Sequence, residues 1–287
     1  MSMSEKDRFL GRFGFRPEGA GRVGVEREFF LMGPAATITG EPNPGSSVVS
    51  ADTACPVPWA ERFLSAVSGG DGRGEGPAHR GWTHELSACQ VEHRTDAHDM
   101  SALTGLSALN NDLFGGLVLG SRTAEALGGS LEAMSVAPEG MTLEVFPDER
   151  HTRIAAALPR GMLEAACRVA GVHIHLGVAD IESAIRLHDL LVGHLDELMR
   201  LGDLSGGQRM ELYCRMAENW RPQRYGSTDR LFKTAVEQGF VDNPRDCYHL
   251  IRISVHGTVE LRMFDATGNC DDIIGWVLRL RGMIAAA

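Results

Sequence analysis

The chain has 287 residues, 43% of them hydrophobic and 23% charged, which are the proportions of an ordinary folded protein and exclude disorder over most of its length. Lys and Arg number 28 against 38 Asp and Glu, a formal net charge of −10 that excludes the basic footprint of a nucleic-acid binder. No apolar run approaches the ~18 residues of a membrane span. The charged start, Met1 to Arg12, lacks the apolar stretch of a secretory signal. Cys55, Cys89, Cys167, Cys214, Cys247 and Cys270 lie far apart with no CxxC pair, a pattern of reduced thiols in a cytoplasmic protein. Lysine occurs only at Lys6 and Lys233, so an anion site here must use guanidinium groups, backbone N–H groups or metals.

Taken in chain order, residues 21–32 (GRVGVEREFFLM) read as a strand. Two loop-like stretches follow, 33–58 rich in Pro, Gly and Ser and 68–81 richer still in Gly, read as lids over a ligand in preference to unstructured loops. A weaker strand signal covers 84–93. Helical spacing then runs from Asp99 to about Leu127, with Asp96 or Asp99 as N-cap. Residues 141–147 suggest a short strand, and 161–170 a helix stopped by Gly171. A clear strand, 172–178, precedes a helix from Asp180 to about Leu201. Residues 228–239 predict a helix capped by Thr228 or Asp229. Strands 248–256 and 258–265 are joined by a tight turn at His256-Gly257, and a last helix covers 271–285. No internal repeat and no GxxxxGK[ST] phosphate loop is present. This order predicts one α+β domain over 1–287, an antiparallel sheet with helices packed on one face.

Side chains two apart on a strand share a face. Glu26 and Glu28 therefore point together, as do His173 and His175, and Glu260 and Arg262. The opposite face of the last two strands is almost purely apolar, so it packs on helices and leaves the Glu/His/Arg face to line something else. Glu26, Glu28, Glu85, Glu92, Glu260 and a histidine would suffice for two or three magnesium ions. Crowded carboxylates repel unless cations lie between them, which favours metal. Glu85 and Glu92, seven apart, fall on opposite faces of an ideal strand and converge only through a bulge or bend. Solvated strand faces and a cross-hairpin pairing of Arg252 or Arg262 with Glu260 account for the same residues, so these patterns alone leave a metal site and a solvated face both open. His84, His93 and His98 read as surface or supporting residues.

At these positions the sequence resembles the glutamine synthetase-like carboxylate–amine ligases, the superfamily of the glutamate–cysteine ligases and smaller amidoligases. Gly24-Val25-Glu26-Arg27-Glu28 matches their N-terminal G-V-E-x-E strand, and Glu85 and Glu92 in HELSACQVE match a following glutamate pair, with Thr95 shortly after. Gly171-Val172-His173-Ile174-His175-Leu176-Gly177 matches G-x-H-x-H-x-G, and Thr258-Val259-Glu260-Leu261-Arg262 matches T-[IV]-E-x-R. The four motifs stand in the superfamily's order and span about residues 21–285.

The resemblance implies a funnel-like site on a curved antiparallel sheet, using ATP and Mg²⁺, with Mn²⁺ as a substitute. Carried over by position, the metal ligands are Glu26, Glu28, Glu85, Glu92, His173 and Glu260. Arg262 and Glu260 act at the reacting phosphoryl group, while Arg252, Arg262, Arg215 and His175 contact the nucleotide. Arg215 and Arg153 are the weaker candidates for a substrate carboxylate. The implied reaction joins an amino-acid-like carboxylate to an amine through an acyl phosphate. The partners are then small molecules, with no nucleic acid and no membrane, and a homo-oligomer is compatible with the chain. The segment AMSVAPEG at 133–140 stands where glutamate–cysteine ligases carry a G-T-H-P-like motif, so a specialised amidoligase is favoured over glutamate–cysteine ligation. A metal-dependent hydrolase or cupin-like enzyme using His173 and His175 is the other reading, and a non-catalytic sensor of nucleotide or amino acid the third.

Overall fold

The computed structural model describes residues 4–34, 54–68 and 81–286. Its centre is a 13-residue strand, β1 (Arg22–Pro34). Along its first half burial alternates: Val23, Val25 and Phe29 are buried on one face, and Glu26 and Glu28 look out half-buried from the other. Beyond it come β2 (Ala54–Pro56), β3 (Trp82–His84), β4 (Gln90–Arg94), β5 (His98–Asp99), β6 (Ser130–Glu132), β7 (Gly171–Gly177), β8 (Ile251–Ser254) and β9 (Thr258–Asp265). The main path of the sheet is β3-β4-β1-β7-β9-β8, antiparallel throughout, with β2, β5 and β6 also pairing with β1.

The apolar face works as expected. Val25 of β1, Ile174 of β7, Ile251 of β8 and Leu261 of β9 are completely buried in one cluster. They pack with helices α1 (Glu5–Leu10), α3 (Leu103–Ala126), α6 (Ile181–Val192), α7 (Leu195–Gly202), α9 (Thr228–Glu237) and α10 (Cys270–Ala285). Covering each of these side chains contributes roughly 1.5–3 kcal/mol, which is what clamps the helices to this side. A second cluster around Phe29, Phe63 and Trp82 seats α2 (Ala60–Val67). Three further helices, α4 (Glu149–Ala157), α5 (Arg160–Arg168) and α8 (Gln208–Met216), wall the opposite, charged face.

Several local expectations change. The 84–93 strand is two antiparallel strands, β3 and β4, joined through residues 85–89. Residues 141–147 hold only an isolated bridge, Ser87 to Val145. The helix predicted from Asp180 breaks at Gly193-His194 into α6 and α7. The cap of α3 is Ala102 rather than Asp96 or Asp99, because Asp99 pairs in β5 and accepts from the Ser101 N–H and hydroxyl instead. Ser227, one residue before the expected cap, takes the N-terminus of α9. Gly171 opens β7 instead of ending a helix. A Cβ there would collide with the Arg209 guanidinium, which lies against the strand. Gly257 has φ +75°, so the β8–β9 turn does need its glycine. Of the two glycine-rich stretches, 35–53 and 69–80 lie outside the described residues. The described margins of the first belong to strands, since β1 continues to Pro34 and Met32 pairs with Pro56 of β2.

Candidate active site

Strand register carries the charged face across the sheet. Glu28 of β1 stands opposite Glu92 of β4, Glu26 opposite His173 of β7, and Glu260 of β9 lies between His175 and Arg252. The β7–β9 ladder slips between Val172 and Ile174, so two β9 residues, Arg262 and Met263, oppose the single His173. That bulge lets Met263 and Phe264 both be buried on the apolar side while Arg262 stays with Glu260. Glu85 joins the row for a simpler reason than a bend within one strand. It follows β3 into the connection to β4, two residues after Thr83, which pairs with Glu92.

The result is a cleft of about 530 Å³ lined by all six expected metal ligands together with His175, Arg252 and Arg262. Donor atoms approach within 4.8 Å of one another in three overlapping sets: Glu28, Glu85 and Glu92; Glu26, Glu92 and His173; and Glu26, His175 and Glu260. His173 Nδ1 lies 3.4 Å from Glu26, and its Nε2 3.6 Å from Glu28. His175 Nδ1 faces the Thr258 hydroxyl at 2.9 Å, and its Nε2 lies 3.2 Å from Glu26.

Electrostatics divides this row in two. At the β7–β9 end the carboxylates are already compensated. Against the pull of burial, Arg252 and Arg262 hold Glu260 far below the usual carboxylate range, and His175 and His173 do the same for Glu26. Arg252 grips Glu260 through both oxygens at 2.8 and 3.1 Å, and Arg262 adds a third contact at 2.5 Å. At the β3–β4 end the opposite holds. Burial, with Glu92 nearby and Arg209 only partly offsetting it, pushes Glu28 up to about 7. Burial and Glu28 raise Glu85 to about 7, and burial with Glu26 and Glu85 takes Glu92 well above its ordinary value. Arg94, half-exposed, meets Glu92 at 2.5 Å but leaves this trio undercompensated. Buried His173, beside Arg262, falls to about 4 and is neutral, as a metal ligand must be. Hard oxygen donors short of positive charge, beside a neutral imidazole, suit Mg²⁺ or Mn²⁺.

Two of the arginines named from sequence lie elsewhere. Arg215 pairs with Glu211 on the exposed side of α8, and Arg153 is 4.0 Å from Glu149 on α4; neither lines the cleft. Two cations there carry no sequence signal of their own. Arg94 sits in the ladder, and Arg209 is buried with Nε donating to the Ala170 carbonyl at 2.8 Å, Nη2 to that of Arg262, and Nη1 without a hydrogen-bond partner. The three upstream histidines separate: His93 lies under the sheet with Nδ1 3.3 Å from Arg27, His98 pairs with Asp112 at 3.0 Å, and His84 packs on Phe146.

No protein-family model matches the chain. A Frankia alni protein bearing the provisional name glutamate–cysteine ligase 2-2 is 25% identical over 284 residues, covering 94% of this chain and 70% of its own length. The glutamate–cysteine ligase of Natronomonas pharaonis is 24% identical over 272 residues, 90% of this chain and 67% of its own. These relatives bear out the resemblance of the four motifs to the glutamine synthetase-like carboxylate–amine ligase superfamily. Among solved structures, a bifunctional glutathione synthetase from Pasteurella multocida superposes with a TM-score of 0.53 at 14% identity, over 97% of this chain. That likeness shows a shared fold, and this chain spans 39% of that enzyme. Among the described residues the sheet is open, with β3 and β8 at the ends of its main path, which is not a cupin barrel. Glu182, the glutamate nearest downstream of the HxH pair, is exposed on α6. Among the described residues no helix is long and apolar enough to cross a membrane, and all six cysteines are free.

Proposed function

We propose that the chain is an ATP-dependent carboxylate–amine ligase that joins an amino-acid-like carboxylate to an amine. The observation that carries this reading is the carboxylate trio Glu28, Glu85 and Glu92 gathered in one cleft with Arg94, Arg209, Arg252 and Arg262. Glu28, Glu85, Glu92, Glu26 and His173 would hold Mg²⁺, with Glu260 completing the set where an arginine yields one of its oxygens. The bound cations would supply neutralisation of the phosphate oxygens of ATP.

The protein's own part is positioning and charge. Arg262 and Arg252, fixed by Glu260, line the same cleft and would stabilise the negative charge that collects as the γ-phosphoryl group leaves ADP for the substrate carboxylate. Attack by the amine on the resulting acyl phosphate forms the amide, expels phosphate and releases a proton. Arg209 Nη1, buried and without a partner, is a third cation available to an anion in the cleft. The cleft is also lined by the apolar side chains Leu158, Met162 and Met216, which would help keep water away from the acyl phosphate. This lining supports a specialised amidoligase acting on a carboxylate with an apolar portion. The names of the two relatives favour glutamate–cysteine ligation as the second reading.

The test is ADP release across a matrix of amino acids and amines, with the product identified by mass. One pair should release ADP and phosphate in equal amounts with amide formed. Failure of every pair, together with cleavage of a dipeptide without ATP, would replace this reading with a hydrolase.

A further inference from the structure

Beside the cleft a second set of ligand-type side chains takes no part in this reading. His84 ends β3, Asp148 caps α4, and His151 lies in the first turn of that helix. One donor atom from each lies within 4.8 Å of the others. Asp148 divides its work: Oδ1 accepts the His151 backbone N–H at 2.6 Å, while Oδ2 faces both imidazoles, 3.1 Å from His151 Nδ1 and 3.6 Å from His84 Nε2. His151 is 4% exposed, and its Nδ1, although aimed at Oδ2, makes no hydrogen bond. Bond lengths of about 2.0–2.1 Å around a tetrahedral ion put neighbouring ligand atoms about 3.3 Å apart. The two measured separations bracket that value.

We infer that His84, Asp148 and His151 form a site for a zinc-class transition-metal ion, separate from the carboxylate row. Two imidazoles and one carboxylate are a borderline-soft set that prefers such an ion to magnesium. Side-chain exposures of 32% for His84 and 33% for Asp148 leave room for a fourth, water ligand. Bound metal would clip the N-terminus of α4, part of the cleft wall, to the end of β3 next to Glu85. The opposing group is Arg150, whose Nη1 lies 3.0 Å from His151 Nε2. Arg150 is exposed and must swing aside so that Nε2 can carry the proton while Nδ1 binds the ion.

The probe is Co²⁺, added to the whole protein in excess Mg²⁺ so that the oxygen-rich row is blocked. One equivalent should bind and give the visible absorption of a four-coordinate ion without a thiolate charge-transfer band. His84→Gln and His151→Gln should each weaken binding at least tenfold while circular dichroism is retained, and Zn²⁺ should displace the colour. Arg150→Ala should bind as tightly as the parent or more so, and Glu26→Gln should leave the spectrum unchanged. Equal Co²⁺ affinity in the parent and both histidine variants, or loss of the spectrum in Glu26→Gln, would overturn the site. None of these readouts depends on ATP, so this site and the ligase reading stand or fall apart.

Discussion

Glu28 and Glu92 stand directly opposite one another in the β1–β4 ladder, with the Glu85 carboxyl within reach of both. Like charges paired across a sheet destabilise it, and Glu92 is buried as well. The fold therefore keeps at this spot a repulsion that only a proton or a cation relieves. Glu85→Gln should make the metal-free protein more stable, by about 1 kcal/mol, while abolishing the gain in melting temperature that Mg²⁺ gives the parent. Denaturation in chelator and in Mg²⁺ measures both signs.

Glu260 behaves differently because its partners are already in place. Glu260→Ala leaves the Arg252 and Arg262 guanidinium groups without their shared counter-ion, a loss of about 3–5 kcal/mol by analogy with other broken buried pairs. Glu260→Gln keeps the shape and one acceptor oxygen and should cost clearly less. Urea unfolding of the two variants beside the parent tests the order. If the alanine variant is as stable as the parent, the pairing contributes nothing.

Arg209 lies flat against β7 where Gly171 has no side chain. Gly171→Ala must displace that guanidinium and should cost about 1–3 kcal/mol, the usual range for overpacking a filled site. Thermal denaturation measures it, and an unchanged melting temperature would show that Arg209 moves aside freely.

Acid stability tests the other buried imidazoles. Burial, with His188 and Arg252 nearby, lowers His249 to about 4, and its Nε2 lies 2.7 Å from Gln238. The unfolded chain takes up this proton near pH 6.5 and the folded one near 4, so the unfolded state binds more protons in between. Stability must then fall as pH drops through that window, by up to about 3 kcal/mol from this residue. His249→Gln should flatten the fall between pH 6.5 and 4 in denaturant titrations, and an identical slope in both proteins would contradict it.

Most of the site was legible because strand periodicity is short-range. The i, i+2 rule put Glu26 with Glu28, His173 with His175 and Glu260 with Arg262, and the sheet only had to bring the three strands side by side. Glu85 was harder, since its place depends on a chain reversal between His84 and Gln90 that no Asn-Gly or Asp-Gly pair announces. Arg209 and Arg94 were unreadable for another reason. Each gains its position from a neighbour remote in sequence, Arg209 from the backbone of Ala170 and Arg262 and Arg94 from Glu26 across the ladder. Arg215 shows the converse: a plausible residue type whose helix turns it outward to Glu211.

The most direct test of the metal-bridged nucleotide site is calorimetric titration of ATP into the protein with Mg²⁺ and with chelator, repeated on Glu85→Gln. ATP should bind the parent only when Mg²⁺ is present, and at least tenfold more weakly to the variant. Equal ATP affinity in chelator, or in the variant with Mg²⁺, would contradict the account.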